Sequence, residues 1–496
     1  MTQTWKKIAT VSLAAVMLTG SLAGCGQQAV SIDKENPSIN VMTKAYNTES
    51  ASPDSPVLQK LEEFLGTKLN ITWVPSTSYD EKVTAAMGSG EYPQVMLVGS
   101  RSSSVIQNSR AGTFWDITDK LTDAEKFPNL AQTDPTGKVY GVYRSRELGR
   151  AGVSIRKDWL DKLGLEQPKT IDDFYNVLKA FKEQDPDGNG ANDTYGMIVT
   201  DYLDGPLNNI AIWMGAPNQY GLKDGKLAPA FMFDEYLEAL KFMNKCYNEG
   251  LINQDMATYS SDKWNEQFLS GKAGVIIDVA DRARRLAQNI QAIDPNAVVD
   301  VFGYVTKDAS SEPRTLPTTG YDGYYVFPKT SVATEEDLDF ILGVMDKANE
   351  QEALNLMNYG IEGRNYDLDA DGYVVKKDDA NLTKEYNDLN QFSTGIVATK
   401  LQIKYATDVA EKIQEVYNEN KLHTVANPAE PYVSDTYSTR GPQLDAIMSE
   451  ANTKFIVGQI SEDEWKAQRD RWLQQGGQKV IDELNKAYEE DDSVQK

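Results

Sequence analysis

SINVMTKAYNTESASPDSPVLQKLEEFLGTKLNITWVPSTSYDEKVTAAMGSGEYPQVMLV, residues 38–98, is the stretch that decides the fold. Ile39-Asn40-Val41-Met42 reads as a strand, Ser55 to Leu65 as a helix and Asn70-Ile71-Thr72-Trp73-Val74 as a second strand. Tyr79 to Met87 reads as another helix, and Gln94-Val95-Met96-Leu97-Val98 as a third strand. Short apolar strands alternating with helices predict parallel sheet and an α/β architecture.

The same pattern continues outward. Thr170 is placed to cap a helix, with Asp173 three residues on, and Phe174, Val177, Leu178 and Phe181 then fall on one helical face. Asp234 to Tyr247 predicts another helix, and Gly274-Val275-Ile276-Ile277-Asp278 a buried strand. Tyr324-Tyr325-Val326-Phe327-Pro328 predicts a further strand, Ala333 to Glu350 a helix, and the last hundred residues are mostly helical in pattern.

Composition narrows the function. The 496 residues allow two or three domains, and a formal charge of −24 opposes capture of nucleic acid. With Cys25 and Cys246 the only cysteines, the fold must stand on its core. Cys246 shares a helical face with Tyr236, Leu240 and Met243 and reads as a small buried hydrophobe. His423 is the single histidine, so zinc sites built on several His and Cys ligands are excluded and a Ser-His-Asp triad has little support. A glycosidase built on two carboxylates is the catalytic class that survives.

The N-terminus is an address. Lys6 and Lys7 precede an apolar run from Ile8 to about Leu22, which polar residues interrupt and which is too short to span a bilayer. Leu22-Ala23-Gly24-Cys25 resembles the lipobox of bacterial lipoproteins. That resemblance implies removal of residues 1–24, a diacylglycerol thioether on Cys25, and anchoring at the extracellular face of the cell membrane. Residues 25–37 then form a lipidated, flexible tether.

Several segments in order resemble the extracellular solute-binding proteins of sugar-transporting ABC importers, including the alginate- and maltodextrin-binding members. They are Lys138-Val139-Tyr140-Gly141-Val142-Tyr143, Arg156 to Leu165, Pro168-Lys169-Thr170, Gly271-Lys272-Ala273-Gly274-Val275 and Phe455-Ile456-Val457-Gly458. The resemblance implies a periplasmic-binding-protein-like fold of two α/β lobes with a ligand cleft between them. On that pattern 38–146 and 279–325 form the N-terminal lobe, and 147–278 and 326–496 the C-terminal lobe. Chain crossings are expected near Tyr143 to Arg146, Ile277 to Asp281 and Gly320 to Tyr325. The implied function is capture of an extracellular oligosaccharide by a monomer, without chemistry, for delivery to the permease subunits. The alternatives are a lipid-anchored polysaccharide hydrolase or lyase, and a ligand sensor partnering a membrane receptor.

Asp185-Pro186-Asp187-Gly188-Asn189-Gly190-Ala191-Asn192-Asp193 has the spacing of a calcium loop. Asp185, Asp187, Asn189 and Asp193 supply side-chain oxygens, Ala191 a carbonyl, and Gly190 the turn. Position 12 is Gly196, where an EF-hand has a bidentate Glu, so a structural calcium is expected with one ligand missing. Asp367-Leu368-Asp369-Ala370-Asp371-Gly372 imitates the pattern, yet Asp-Gly before Tyr373-Val374-Val375 predicts a hairpin turn.

Sugar sites combine flat aromatics with Asp, Asn and Arg. Candidates beside loops are Trp213, Trp264, Tyr321 and Tyr324, with Tyr46 and Arg101 following strands and Asp278 ending one. Trp159 and Trp472 read as core. Arg144, Arg146, Arg150 and Arg156 suggest uronate recognition, but a network with surface Asp and Glu is the preferred reading.

Overall fold

The computed structural model describes residues 31–99, 103–120, 138–291, 293–395, 399–403 and 409–491. The expected signal segment 1–24, Cys25 and Arg101 lie outside the described residues. Along the chain the described strands are β1 (Ser38–Ala45), β2 (Lys68–Pro75), β3 (Val95–Val98), β4 (Gly141–Ser145), β5 (Ala151–Arg156), β6 (Tyr195–Met197), β7 (Tyr220–Lys223), β8 (Lys226–Pro229), β9 (Ala273–Val279), β10 (Val299–Phe302), β11 (Tyr321–Val326), β12 (Tyr366–Leu368) and β13 (Val374–Lys376).

The first sheet has the order β2-β1-β3-β11-β4. β1 pairs in parallel with β2 and β3, as the alternation over 38–98 predicts. The intervening helix Pro56–Leu65 starts where the Ser55 side chain accepts the N–H groups of Val57 and Leu58, and ends where Gly66 turns left-handed. Its buried face, Val57, Leu58, Leu61 and Leu65, joins Ile39, Val41 and the fully buried β3 in one core.

The second sheet has the order β10-β5-β9-β6 and is covered on both faces. Successive side chains alternate between two cores: Val275 and Ile277 pack with Trp159, Phe174 and Phe181, while Ile276 packs with Trp264, Phe268 and Val416. The helix Ile171–Glu183 carries the expected capping box between Thr170 and Asp173. Cys246 is fully buried. β12 and β13 pair as the expected hairpin, with the Asp369 carboxylate accepting the N–H groups of Asp371 and Tyr373.

Sheet membership corrects the expected division of the chain. Within 279–325, Arg282–Gln291 and β10 belong to the second sheet's cores, and only β11 joins the first sheet. Conversely the helices Glu335–Lys347 and Gln351–Tyr359, with Leu389 and Phe392, pack in the first core. An amphipathic helix or a four-residue apolar strand fits either sheet equally well, so local pattern cannot assign it. Nor does the chain cross at Ile277 to Asp281, where β9 leads into its own unit's helix. Crossings run from Ser145 to Ala151, from Phe302 to Tyr321 and between Phe392 and Val409. The segment expected as free tether is also partly docked. The Ile32 N–H donates to Asp337 at 2.9 Å and the Ile32 side chain packs on the first core. Among the described residues no helix is long and apolar enough to cross a membrane.

Candidate functional site

The three crossings lie against one another. Arg146 N–H donates to Gly320 O at 2.9 Å, Thr318 N–H to Leu148 O at 2.9 Å, and Ser145 N–H to Thr394 O at 2.6 Å. Asn420, fully enclosed, donates from Nδ2 to Gly149 O at 2.9 Å and Ala151 O at 2.8 Å, while its own carbonyl accepts from Thr315 Oγ1 at 2.8 Å. A Cβ at Gly303 would stand 2.0 Å from Asn420 Oδ1, so glycine is required there.

Toward these crossings runs a belt of side chains that water reaches although protein crowds them. Tyr46 is 53% exposed, Tyr202 50% and Tyr437 45%, yet burial raises all three hydroxyl pKa values. Burial also raises the carboxyls of Asp204 and Asp445, and the two carboxylates repel each other. Tyr437 donates to Asp445 at 2.7 Å. Tyr46 comes from the first unit and the other four from the second.

The crossing end of the belt is cationic. A bulge between Tyr321 and Tyr324 turns Asp322 out of the β11 ladder, made possible by Gly323 at φ +77°, where a Cβ would lie 2.5 Å from Val98 O. Asp322 then meets Arg146 at 2.6 Å, Arg144 at 3.6 Å and Lys44 at 3.9 Å. Burial works against its charge, but Arg146, Arg144 and Lys44 hold its carboxyl below the usual range. Arg150 forks onto Asp281 at 2.8 and 3.0 Å, Tyr417 donates to the same carboxylate at 2.9 Å, and Arg282 pairs with Asp278 at 2.6 Å.

Some of the expected ligand residues are elsewhere. Trp213 is 2% exposed on a helix buried nearly all round and packs edge-on against Phe174 in the second core. Trp264 is equally buried, donates to Ile198 O at 3.1 Å and lies beneath the Arg282 guanidinium, edge-on to Tyr202. Tyr324 is buried and stacks on Tyr143. Tyr321 and Asp278 are half-buried, Asp278 bonded to Arg282. Tyr202, Asp204, Tyr437 and Asp445 escaped the reading of the sequence. For Tyr202 a signal existed, since it follows β6 closely as Tyr46 follows β1; for Tyr437 and Asp445, inside a long helix, none did. A groove of about 800 Å³ lined by Thr170, Phe302, Tyr304, Lys412 and Glu419 holds none of the expected site residues.

The acidic loop is wrapped as its spacing predicts. Asp185 accepts the N–H groups of Gly188, Asn189 and Gly190 at 3.0 to 3.1 Å, and Asn189 Nδ2 bridges Asp187 and Asp193. Burial, and then the neighbouring Asp185, raises the Asp187 carboxyl. Its far side departs from the calcium pattern. Lys272 pairs with Asp193, Lys162 donates to Pro186 O at 2.9 Å, and a Cβ at Gly196 would lie 2.6 Å from Leu178 O, so no side chain fits at the twelfth position. Among the described residues no three His, Cys, Asp or Glu side chains converge as a ligand set.

Comparison with known proteins sets this geometry in a family. Residues 44–359 match the model of the bacterial extracellular solute-binding proteins. Lipoprotein LipO of Bacillus subtilis is 40% identical over 98% of this chain and 98% of its own. The polygalacturonan/rhamnogalacturonan-binding protein YtcQ of the same organism is 32% identical over 98% of this chain and 99% of its own. The structure of FusA from Streptococcus pneumoniae, an ABC-transporter substrate-binding protein solved as an EF-hand mutant with fructo-nystose, superimposes with a TM-score of 0.65. It is 20% identical, with 91% of this chain and 99% of that one covered. The family model and the names of YtcQ and FusA are those of solute binders, which sets the hydrolase and lyase alternatives aside. With the family match over residues 44–359 and the likeness to LipO and YtcQ along nearly the whole chain, this chain belongs to the bacterial extracellular solute-binding proteins.

Proposed function

We propose that the chain captures an extracellular oligosaccharide in the groove between two lobes and presents it to a membrane permease. One lobe comprises residues 38–145 with 321–392, the other 151–302 with 409–491. The observation that carries this reading is the belt of water-accessible but crowded aromatic and carboxylate groups contributed by both units: Tyr46 on one side and Tyr202, Asp204, Tyr437 and Asp445 on the other. Aromatic rings cover the CH faces of pyranoses and carboxylates accept their hydroxyls. The adjacent crossings supply a hinge of the kind that closes such clefts, and Arg110 already meets Asp435 across the units at 3.2 Å. The saccharides named for YtcQ and FusA support the same class.

The anchor and the metal belong to this proposal. Cys25 carries the lipid and holds the monomer at the outer membrane face near its permease, consistent with the lipoprotein name of LipO. Calcium binds the 185–193 loop through Asp185, Asp187, Asn189, Asp193 and the Ala191 carbonyl, taking over the neutralising role now held by Lys272 and ordering a helix end against β6. A thermal-shift screen of plant and microbial oligosaccharides tests the function. A saccharide at 100 times its Kd stabilises by about 2.7 kcal/mol; stability unmoved by every saccharide at millimolar concentration, or sustained product formation, overturns it.

A further inference from the structure

The groove's charge is out of keeping with the molecule. A chain of net charge −24 gathers Lys44, Arg144, Arg146, Arg150, Arg282 and Arg285 along one end of it. Three carboxylates, Asp322, Asp281 and Asp278, are shared among these six cations. Two further carboxylates stand close: Asp388 accepts from Tyr46 N, Asn47 N, Asn47 Nδ2 and Ser50 Oγ, and Asp80 lies on the side of Lys44, its Oδ1 and the Lys44 Nζ both within 4 Å of where a Gly99 Cβ would stand.

The shortage is sharpest around Asp322, whose carboxylate has Lys44, Arg144 and Arg146 all within 4 Å. Arg144 is 2% exposed, and its one hydrogen-bonded nitrogen, Nη2, donates to Gln391 at 2.7 Å. Its Nε and Nη1 have no hydrogen-bond partner among the described residues, Nη1 standing 3.6 Å from the Asp322 carboxylate. A buried guanidinium with open donors is costly unless an anion completes it, and the planar fork of Arg matches a carboxylate. Arg156, the fourth arginine in this part of the sequence, stands apart, bonded to Asp158 and lying over Trp159.

Resting on the saccharide reading above, we propose that the ligand is an acidic saccharide whose uronate carboxylate is received by the Lys44, Arg144 and Arg146 cluster around Asp322. Tyr46, exposed beside that cluster and within electrostatic reach of Arg144, Arg146 and Arg150, is placed to cover the sugar ring. Charge-assisted hydrogen bonds in a crowded groove favour the ionised ligand over its neutral twin.

The test is titration calorimetry of the full chain with galacturonate, glucuronate and mannuronate trisaccharides, each beside its methyl ester, with neutral and sulfated trisaccharides as further arms, all in chelator. At least one uronate is expected to bind tenfold or more tightly than its ester, and to weaken as salt rises. Arg146→Gln should erase that preference while leaving the affinity for the ester within twofold, a readout that a merely unfolded variant cannot give. Neutral or esterified sugars binding as well as the acid, or a sulfated sugar binding where no uronate does, would overturn the inference and leave the saccharide reading standing. Binding of no saccharide at all overturns both.

Discussion

The Asn420 side chain fastens the helix Val409–Leu422 to the crossing between Ser145 and Ala151, so its replacement measures how much that crossing depends on a single side chain. Asn420→Ala removes two buried hydrogen bonds of 2.8 and 2.9 Å and deprives Gly149 O and Ala151 O of their amide donor. Each buried acceptor so stripped costs about 1–3 kcal/mol, and either carbonyl can recover part of that elsewhere, so the variant should lose about 2–4 kcal/mol. Asn420→Asp keeps the shape but points a carboxylate at the same two oxygens. Burial and the carbonyl dipoles would raise the introduced carboxyl well above its unfolded value of about 3.9. A raised acid pKa penalises the folded state most above the folded pKa, and the penalty fades as pH falls through it. The deficit of Asn420→Asp relative to the parent should therefore be larger than that of Asn420→Ala at pH 7 and shrink toward pH 4, whereas the alanine deficit stays flat. Urea unfolding of parent and both variants, followed by tryptophan fluorescence between pH 4 and 8, supplies the numbers. An alanine deficit under 0.5 kcal/mol, taken as roughly the scale of a neutral surface change, or an aspartate deficit independent of pH, would falsify the role given to Asn420.

Tyr202→Ala and Tyr437→Ala should weaken binding of whichever saccharide the screen yields by tenfold or more with little change in melting temperature. Trp213→Ala should instead unfold the second core, costing about 3–5 kcal/mol; calorimetry and melting together separate the two behaviours. Asp281 and Asp322 have carboxyls held below the ordinary value of 3.8 against the pull of burial, by Arg150 and by Arg146 respectively. Stability from both is thus complete above about pH 4 and drains away as pH falls through their folded pKa values. Replacing Asp281 with Asn should flatten that acid limb of the melting curve. Chelator should lower the melting temperature of the parent and leave Asp185→Ala unmoved; equal responses would remove calcium from the loop. Cys25→Ala should release the protein from cells into the medium while ligand affinity holds.

The parallel core β2-β1-β3 and the capped helices at Pro56–Leu65 and Ile171–Glu183 were legible because their signals are local. Alternation, an N-cap oxygen and a left-handed glycine all act within a few residues. The hairpin at 366–376 was legible for the same reason, and so was the burial of Cys246, Trp159 and Trp472 on apolar faces. Membership of β10 and of the helix Glu335–Lys347 was not, because an apolar face states that it is covered and not by what.

The groove shows the same boundary more sharply. By itself the sequence determined that the chain is α/β, acidic and similar to solute-binding proteins. Only the tertiary structure decided that Trp213 and Trp264 are core, and that Tyr202 and Tyr437 are exposed, Tyr437 donating to Asp445. It also gathered Lys44, Arg144 and Arg146, drawn from two strands and a crossing, on the single carboxylate of Asp322. Coulomb energy and desolvation depend on separation in space, and residues 44, 144 and 322 become neighbours only when β1, β4 and β11 are brought into one sheet.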